Sequence, residues 1–141
     1  MNSSSLPVID SHLLPPVWKA SALSQLTPQE NVLACLEVDL DAQLHFAAGL
    51  LIVTDQRVLF AQDGAGSSWQ SWPLQAGLRM RHSDHAGVGS LSLEDDQHLL
   101  ARWRFTLSHN VDAMRLQETF EARIAQLTHG DRKSTRLNSS H

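Results

Sequence analysis

Leu50-Leu51-Ile52-Val53-Thr54-Asp55-Gln56-Arg57-Val58-Leu59-Phe60 is the stretch whose reading decides the fold. Two apolar runs, rich in β-branched and bulky side chains, flank a polar step from Thr54 to Arg57. This is the pattern of a β-hairpin: a buried strand, a tight turn at Asp55-Gln56, and a return strand opened by Arg57. Aspartate suits the turn because its carboxylate accepts hydrogen bonds from nearby backbone amides.

Working outward, the same period recurs on both sides. Leu36, Val38 and Leu40 alternate with Glu37, Asp39 and Asp41, as in a strand with one wet face. The strand entering the hairpin spans about 44–54, and Gly49 marks a bulge or bend within it. The return strand covers 57–62, and the Gly- and Ser-rich segment 63–68 is loop. Residues 69–74 read as a strand with Trp69 and Ser71 on one face and Gln70 and Trp72 on the other. Further strands fall at 78–82, 88–93 and 98–107, separated by turn-rich 83–87 and 94–97.

The strands give way to a helix over 110–128. Ala113, Leu116, Phe120, Ile124 and Leu127 form one stripe, Asn110 suits the N-cap, Asp112 suits the first turn, and Gly130 marks the stop. Upstream, Ser- and Pro-rich 1–16 read as an extended lead-in. Trp18, Ala22 and Leu26 predict a short helix over 17–26, before a turn at Thr27-Pro28-Gln29-Glu30.

Several of these segments resemble bacterial pleckstrin-homology-like (PH-like) domains. The run from Thr54 to Phe60 fits the T-[DN]-x-R-[LV]-[LIV]-[FY] hairpin of that family, LTPQENVL at 26–33 is similar to the line before its first strand, and Trp72-Pro73-Leu74 resembles a later segment. The likeness covers roughly 26–129. It implies a mainly β fold: a seven-stranded β-sandwich or partial barrel with one C-terminal helix plugging its open end. The domain layout expected is a lead-in at 1–26, the PH-like domain at 27–130 and a tail at 131–141.

The tail, DRKSTRLNSSH, matches the translation of a widely used sequencing adapter at every position and is read as an artefact of library construction. The natural protein is then expected to continue past Gly130. LEVDLDAQL at 36–44, with GVGSLSL at 87–93 and LARWRFTLS at 100–108, resembles extensions ahead of the membrane domain in some bacterial ABC exporters. In that reading ATP and Mg²⁺ bind in the missing part, and no cofactor, metal or catalytic residue is expected here. The alternative is a stand-alone module binding a protein partner through a sheet edge or tryptophan surface.

Composition narrows the classes further. A chain of 141 residues carries one domain with a real core. The single cysteine, Cys35, excludes an intrachain disulfide and suits a reducing compartment, so a cytoplasmic location is the default. The longest apolar run, 46–53, is far short of the roughly 20 residues of a membrane span. Net charge is −4, or −6 without the tail (eight basic against fourteen acidic residues). With no basic stripe evident, neither nucleic acid nor anionic lipid is an expected partner. Asp39-Leu40-Asp41-Ala42-Gln43, in the loop where some PH domains hold inositol phosphates, would repel phosphate.

Four residues form the expected interaction surface: Asp55, Arg57, Trp69 and Trp72. Asp55 and Arg57 are read chiefly as hairpin-shaping residues. His82, Asp84 and His85 have the residue types of a metal site, but in an extended segment the two imidazoles face opposite ways, so a solvated turn is the better reading. Glu94-Asp95-Asp96 lacks the spacing of a calcium loop. Cys35, on a core strand, is read as an inert buried thiol.

Overall fold

A computed structural model describes residues 14–62 and 68–140, with side chains of the last helix described through Thr128. Helix α1 (Pro16–Leu23) comes first, then seven strands: β1 (Val32–Leu40), β2 (Phe46–Thr54), β3 (Arg57–Gln62), β4 (Gln70–Pro73), β5 (Arg79–His85), β6 (Val88–Glu94) and β7 (Leu99–Thr106). A 3₁₀ turn (Leu107–His109) leads into helix α2 (Asn110–Ser140). The strands join in one antiparallel order, β4-β3-β2-β1-β7-β6-β5. The chain is therefore mainly β with a C-terminal helix, as the residue patterns require.

That sheet is strongly curled. Adjacent strands lie about 4.8 Å apart, so β4 and β7, four steps apart in the order, would be separated by roughly 19 Å in a flat sheet. Yet the rings of Trp72 on β4 and Trp103 on β7 are 5.6 Å apart, and Phe60 on β3 is 5.8 Å from Trp103. The β3–β4 end of the sheet thus faces β7 across one core. Leu36, Leu51, Val53, Met80, Leu91, Leu93 and Phe105 line it, and α2 supplies Ala113, Leu116, Phe120 and Ile124. The apolar stripe of α2 sits as its spacing predicts.

α2 also protects an edge. The backbone N–H of Met80 on β5 donates to Glu121 Oε2 at 3.0 Å, and Gln117 Nε2 donates to the Met80 carbonyl at 2.9 Å. Two helical side chains stand in for a missing strand.

The hairpin is built at the expected place, since Val53 pairs with Val58 around a turn of Asp55-Gln56. Gly49 sits beside a register shift between β1 and β2, where an added Cβ would lie 2.9 Å from Val38. There Gln62 Nε2 donates to the Leu40 and Ala47 carbonyls, replacing ladder bonds lost at the irregularity.

Four local expectations are corrected. β5 runs to His85 rather than ending at His82, because Ser83, Asp84 and His85 pair with Ser90, Gly89 and Val88. Its turn shrinks to Ala86-Gly87, both at positive φ (53° and 84°), as a type I′ turn demands. Asn110 is not the N-cap: the helical path begins after Thr106, whose N–H and hydroxyl both donate to the Asp39 carboxylate, and Asn110 is already helical. Gly130 does not stop the helix, whose backbone continues to Ser140, since an interior glycine costs only about 1 kcal/mol.

The lead-in is more than a linker. Pro16, at the first helical position, has its φ pre-set, and the predicted spacing buries Trp18 and Ala22. With Leu14 they pack against Val32, Leu50, Ile52, Leu59 and Ala61 on the outer face of β1–β3. The mobile segment expected at 1–16 lies largely outside the described residues.

Candidate functional site

Asp55 and Arg57 belong to a buried structural knot. Glu30, its side chain fully buried, accepts from Arg57 Nε at 2.9 Å and Nη2 at 3.1 Å. The Thr54 hydroxyl donates to Glu30 at 2.6 Å and accepts from the N–H groups of Gln56 and Arg57. So Thr54, not Asp55, satisfies the turn amides. The Asp55 carboxylate instead takes the Asn31 backbone N–H and side-chain amide, while Arg123 Nε of α2 donates to the Asp55 carbonyl at 3.1 Å. Arg57 also donates to the Gln25 carbonyl beyond α1. Burial pushes the Glu30 carboxyl up, but the hydrogen bonds from Arg57, Thr54 and the Thr27 N–H outweigh it and hold the group below its ordinary range.

Trp69 and Trp72 do not share a surface with each other. Trp69 packs edge-on against Trp18 with ring centroids 6.0 Å apart, and its Nε1 donates to Ser21 Oγ at 3.0 Å. Trp72 points to the other side, against Trp103. The alternation along 69–72 is as expected, and both rings serve packing between layers. The four residues singled out from sequence therefore divide into a hairpin knot, an outer layer and an inner core.

His82 and His85 do lie on opposite faces. His82 stacks on Phe105 and donates from Nε2 to Asn110 Oδ1 at 2.6 Å, whereas His85 is exposed on the outer face. Among the described residues no group of three His, Cys, Asp or Glu is placed to hold a metal ion. Asp95 makes the β6–β7 turn by accepting from the Gln97 and His98 N–H groups at 2.8 and 2.7 Å. Burial, with the Glu37 and Asp112 carboxylates adding to it, pushes the half-buried Cys35 thiol up to about 11.

Two surfaces emerge that the sequence patterns alone did not assemble. The first is a groove between β1 and α2. Among the described residues, β1 pairs with β2 along its length but with β7 only at Leu40–Arg104, so β7 does not run alongside the first half of β1. A cleft of about 320 Å³ opens there, lined by Leu33, Ala34, Cys35 and Glu37 on one wall and Asp112, Arg115, Leu116 and Thr119 on the other, and also by Pro15 of the lead-in. Leu33 is the extra residue at the register shift between Val32 and Ala34, which turns its side chain toward the cleft.

The second is a basic sheet face, which corrects the expectation of no basic stripe. Arg79, Arg81, Ser83 and His85 alternate outward on β5, Ser90 and Ser92 on β6, and Arg102 and Arg104 on β7. Net charge hid this face, because acids elsewhere in the chain and at the face's own end outnumber its arginines. The signal was present as two R-x-R spacings, Arg79-x-Arg81 and Arg102-x-Arg104. No protein-family model matches the chain and no curated protein matches it significantly, so the chemistry of these surfaces rests on their own residues. No helix among the described residues is long and apolar enough to cross a membrane.

Proposed function

We propose that the chain is a non-catalytic, PH-like docking module that captures an extended protein segment in the cleft between β1 and α2. The observation that carries this reading is the cleft between β1 and α2, beside which β1 is joined to β7 only at Leu40 and Arg104 among the described residues. An added strand there would hydrogen-bond to the β1 backbone, and the wall of α2 would read its side chains, as in other strand-addition interfaces. Glu37 favours a segment carrying a lysine or arginine that can also compete for Asp112 with Arg115, which lies 4.0 Å from it, with Leu33 and Leu116 offering contact to an apolar neighbour. The segment belongs to a protein partner or to the remainder of the module's own chain.

A displayed library of ten-residue peptides, selected on the whole chain, tests this. Enriched peptides should carry a basic residue, perturb the amide signals of 33–37 and 112–119, and lose affinity when Glu37 and Asp112 are both changed to lysine. Footprints elsewhere, or no effect of the charge reversal, would sink the reading. In the fuller form of the proposal the module precedes the membrane domain of a bacterial ABC exporter, working at the cytoplasmic face. A long read of the source DNA past codon 130 tests that part. Apolar runs of about 20 residues followed by a phosphate-loop motif support it. An early stop codon leaves the stand-alone module.

A further inference from the structure

The outer face of β5–β7 carries an inference independent of the β1 groove. Cross-strand register sets Ser83, Ser90 and Arg104 in one row, and Arg81, Ser92 and Arg102 in the next. The four arginines differ in their neighbours. Arg79 lies 3.5 Å from Asp96 and Arg81 lies 3.0 Å from Glu94, so both are neutralised at the acidic end of the face. Among the described residues Arg102 bonds only the Ser92 hydroxyl, at 3.2 Å through Nε, which leaves both its terminal nitrogens available. Arg104 and His85 make no side-chain hydrogen bond or ion pair among the described residues.

These groups surround a pocket of about 450 Å³, lined by Arg102, Arg104, His85, Ser83 and Ser90, and walled by Leu44, Ala86 and Val88. The Ser83 and Ser90 hydroxyls are hydrogen-bonded to each other at 2.9 Å, which uses one of their two protons and leaves the other to donate outward. Two guanidinium forks, a hydroxyl and an imidazole around one concavity match a tetrahedral oxyanion better than a planar carboxylate with its fewer acceptor sites. The volume is that of a small-molecule site, and the apolar wall can contact an organic body.

We infer that this face binds a small soluble phosphomonoester, its phosphate held by Arg102, Arg104 and the Ser83–Ser90 pair, and its organic part against Leu44 and Val88.

The test is a titration of the whole ¹⁵N-labelled chain at constant ionic strength, with inorganic phosphate, phenyl phosphate and phosphatidylglycerol vesicles as separate probes. Both soluble phosphates should give saturable shifts at Ser83, His85, Ser90, Arg102 and Arg104, with phenyl phosphate the tighter. Arg104→Gln should weaken phenyl phosphate at least ~10-fold, the scale of losing a charge-assisted hydrogen bond. Arg102→Gln should act in the same direction and decides the matter if the first variant misfolds, while Lys19→Gln on the exposed side of α1 should change nothing. Equal shifts with chloride, unchanged affinity in the arginine variants, or binding to vesicles without any response to phenyl phosphate would overturn the proposal.

Discussion

β2 and β7 are built on opposite plans. Leu50 to Val53 on β2 are all fully buried, because the core lies on one side and α1 on the other. On β7, Trp103 and Phe105 are buried while Arg102 and Arg104 point outward, since no layer among the described residues covers that half of the sheet. A continuous apolar run means two covered faces, and an alternating one means a wet face. The difference teaches where to look for recognition. The β1–β3 half spends its outer face on stability, and the β5–β7 half leaves its own available for a ligand.

Breaking the inner contact should be the most damaging change. Trp103 joins β7 to β3 and β4 across the curled sheet, so Trp103→Ala should cost about 4 kcal/mol, read from the denaturant midpoint at constant m-value. If the outer layer is an integral part of the first half, Trp18→Ala should cost about 3 kcal/mol and also release Trp69. A loss below 1 kcal/mol there would make α1 an accessory, and the contrast between the halves would fall.

The knot that joins α1, the hairpin and α2 sharpens the same comparison through pH. Glu30 is held below its ordinary value of 4.5, so on acidification the unfolded chain takes up this proton first. The pair therefore stabilises fully at neutral pH, begins to weaken near that value, and is lost as pH falls through the folded value. Glu30→Ala should cost about 2 kcal/mol at pH 7, less than a fully buried pair because Arg57 is a quarter exposed, and the penalty should shrink toward pH 3. A penalty that stays constant with pH would assign the effect to packing instead.

The smallest effect lies at the tip of the β5–β6 hairpin. Ala86 holds a φ of 53°, a region that disfavours side chains. Ala86→Gly should stabilise by about 0.5–1 kcal/mol, net of the flexibility glycine adds to the unfolded chain. By contrast Gly89→Ala should destabilise, because its Cβ would stand 2.3 Å from the Phe105 ring.

Much of the architecture was legible because its signals are local. The hairpin at Asp55-Gln56, the bend at Gly49, the spacing of Trp18 and Ala22, and the stripe of α2 each follow from residues within a turn or two of one another. The misplaced boundaries share a cause in distant partners. Asp39 recruits Thr106 from 67 positions away to start the helical path. β5 reaches His85 because β6 offers it a full ladder. Asp55 turned from its own turn to Asn31, on the far side of the hairpin.

The candidate sites divide the same way. Period-two alternation determined which side of β5 and β7 each arginine takes, so Arg79-x-Arg81 and Arg102-x-Arg104 were readable as wet faces. Only the pairing of β6 between those strands made them one surface, and only the acids at its end selected Arg102 and Arg104 as the cations left available. The groove beside β1 is wholly tertiary, for it exists where β7 turns away after Arg104 and α2 takes its place. Strand period and turn chemistry act over a few residues and survive in the sequence. Which edge stays open and which charge stays unpaired depend on contacts that chain folding alone brings together.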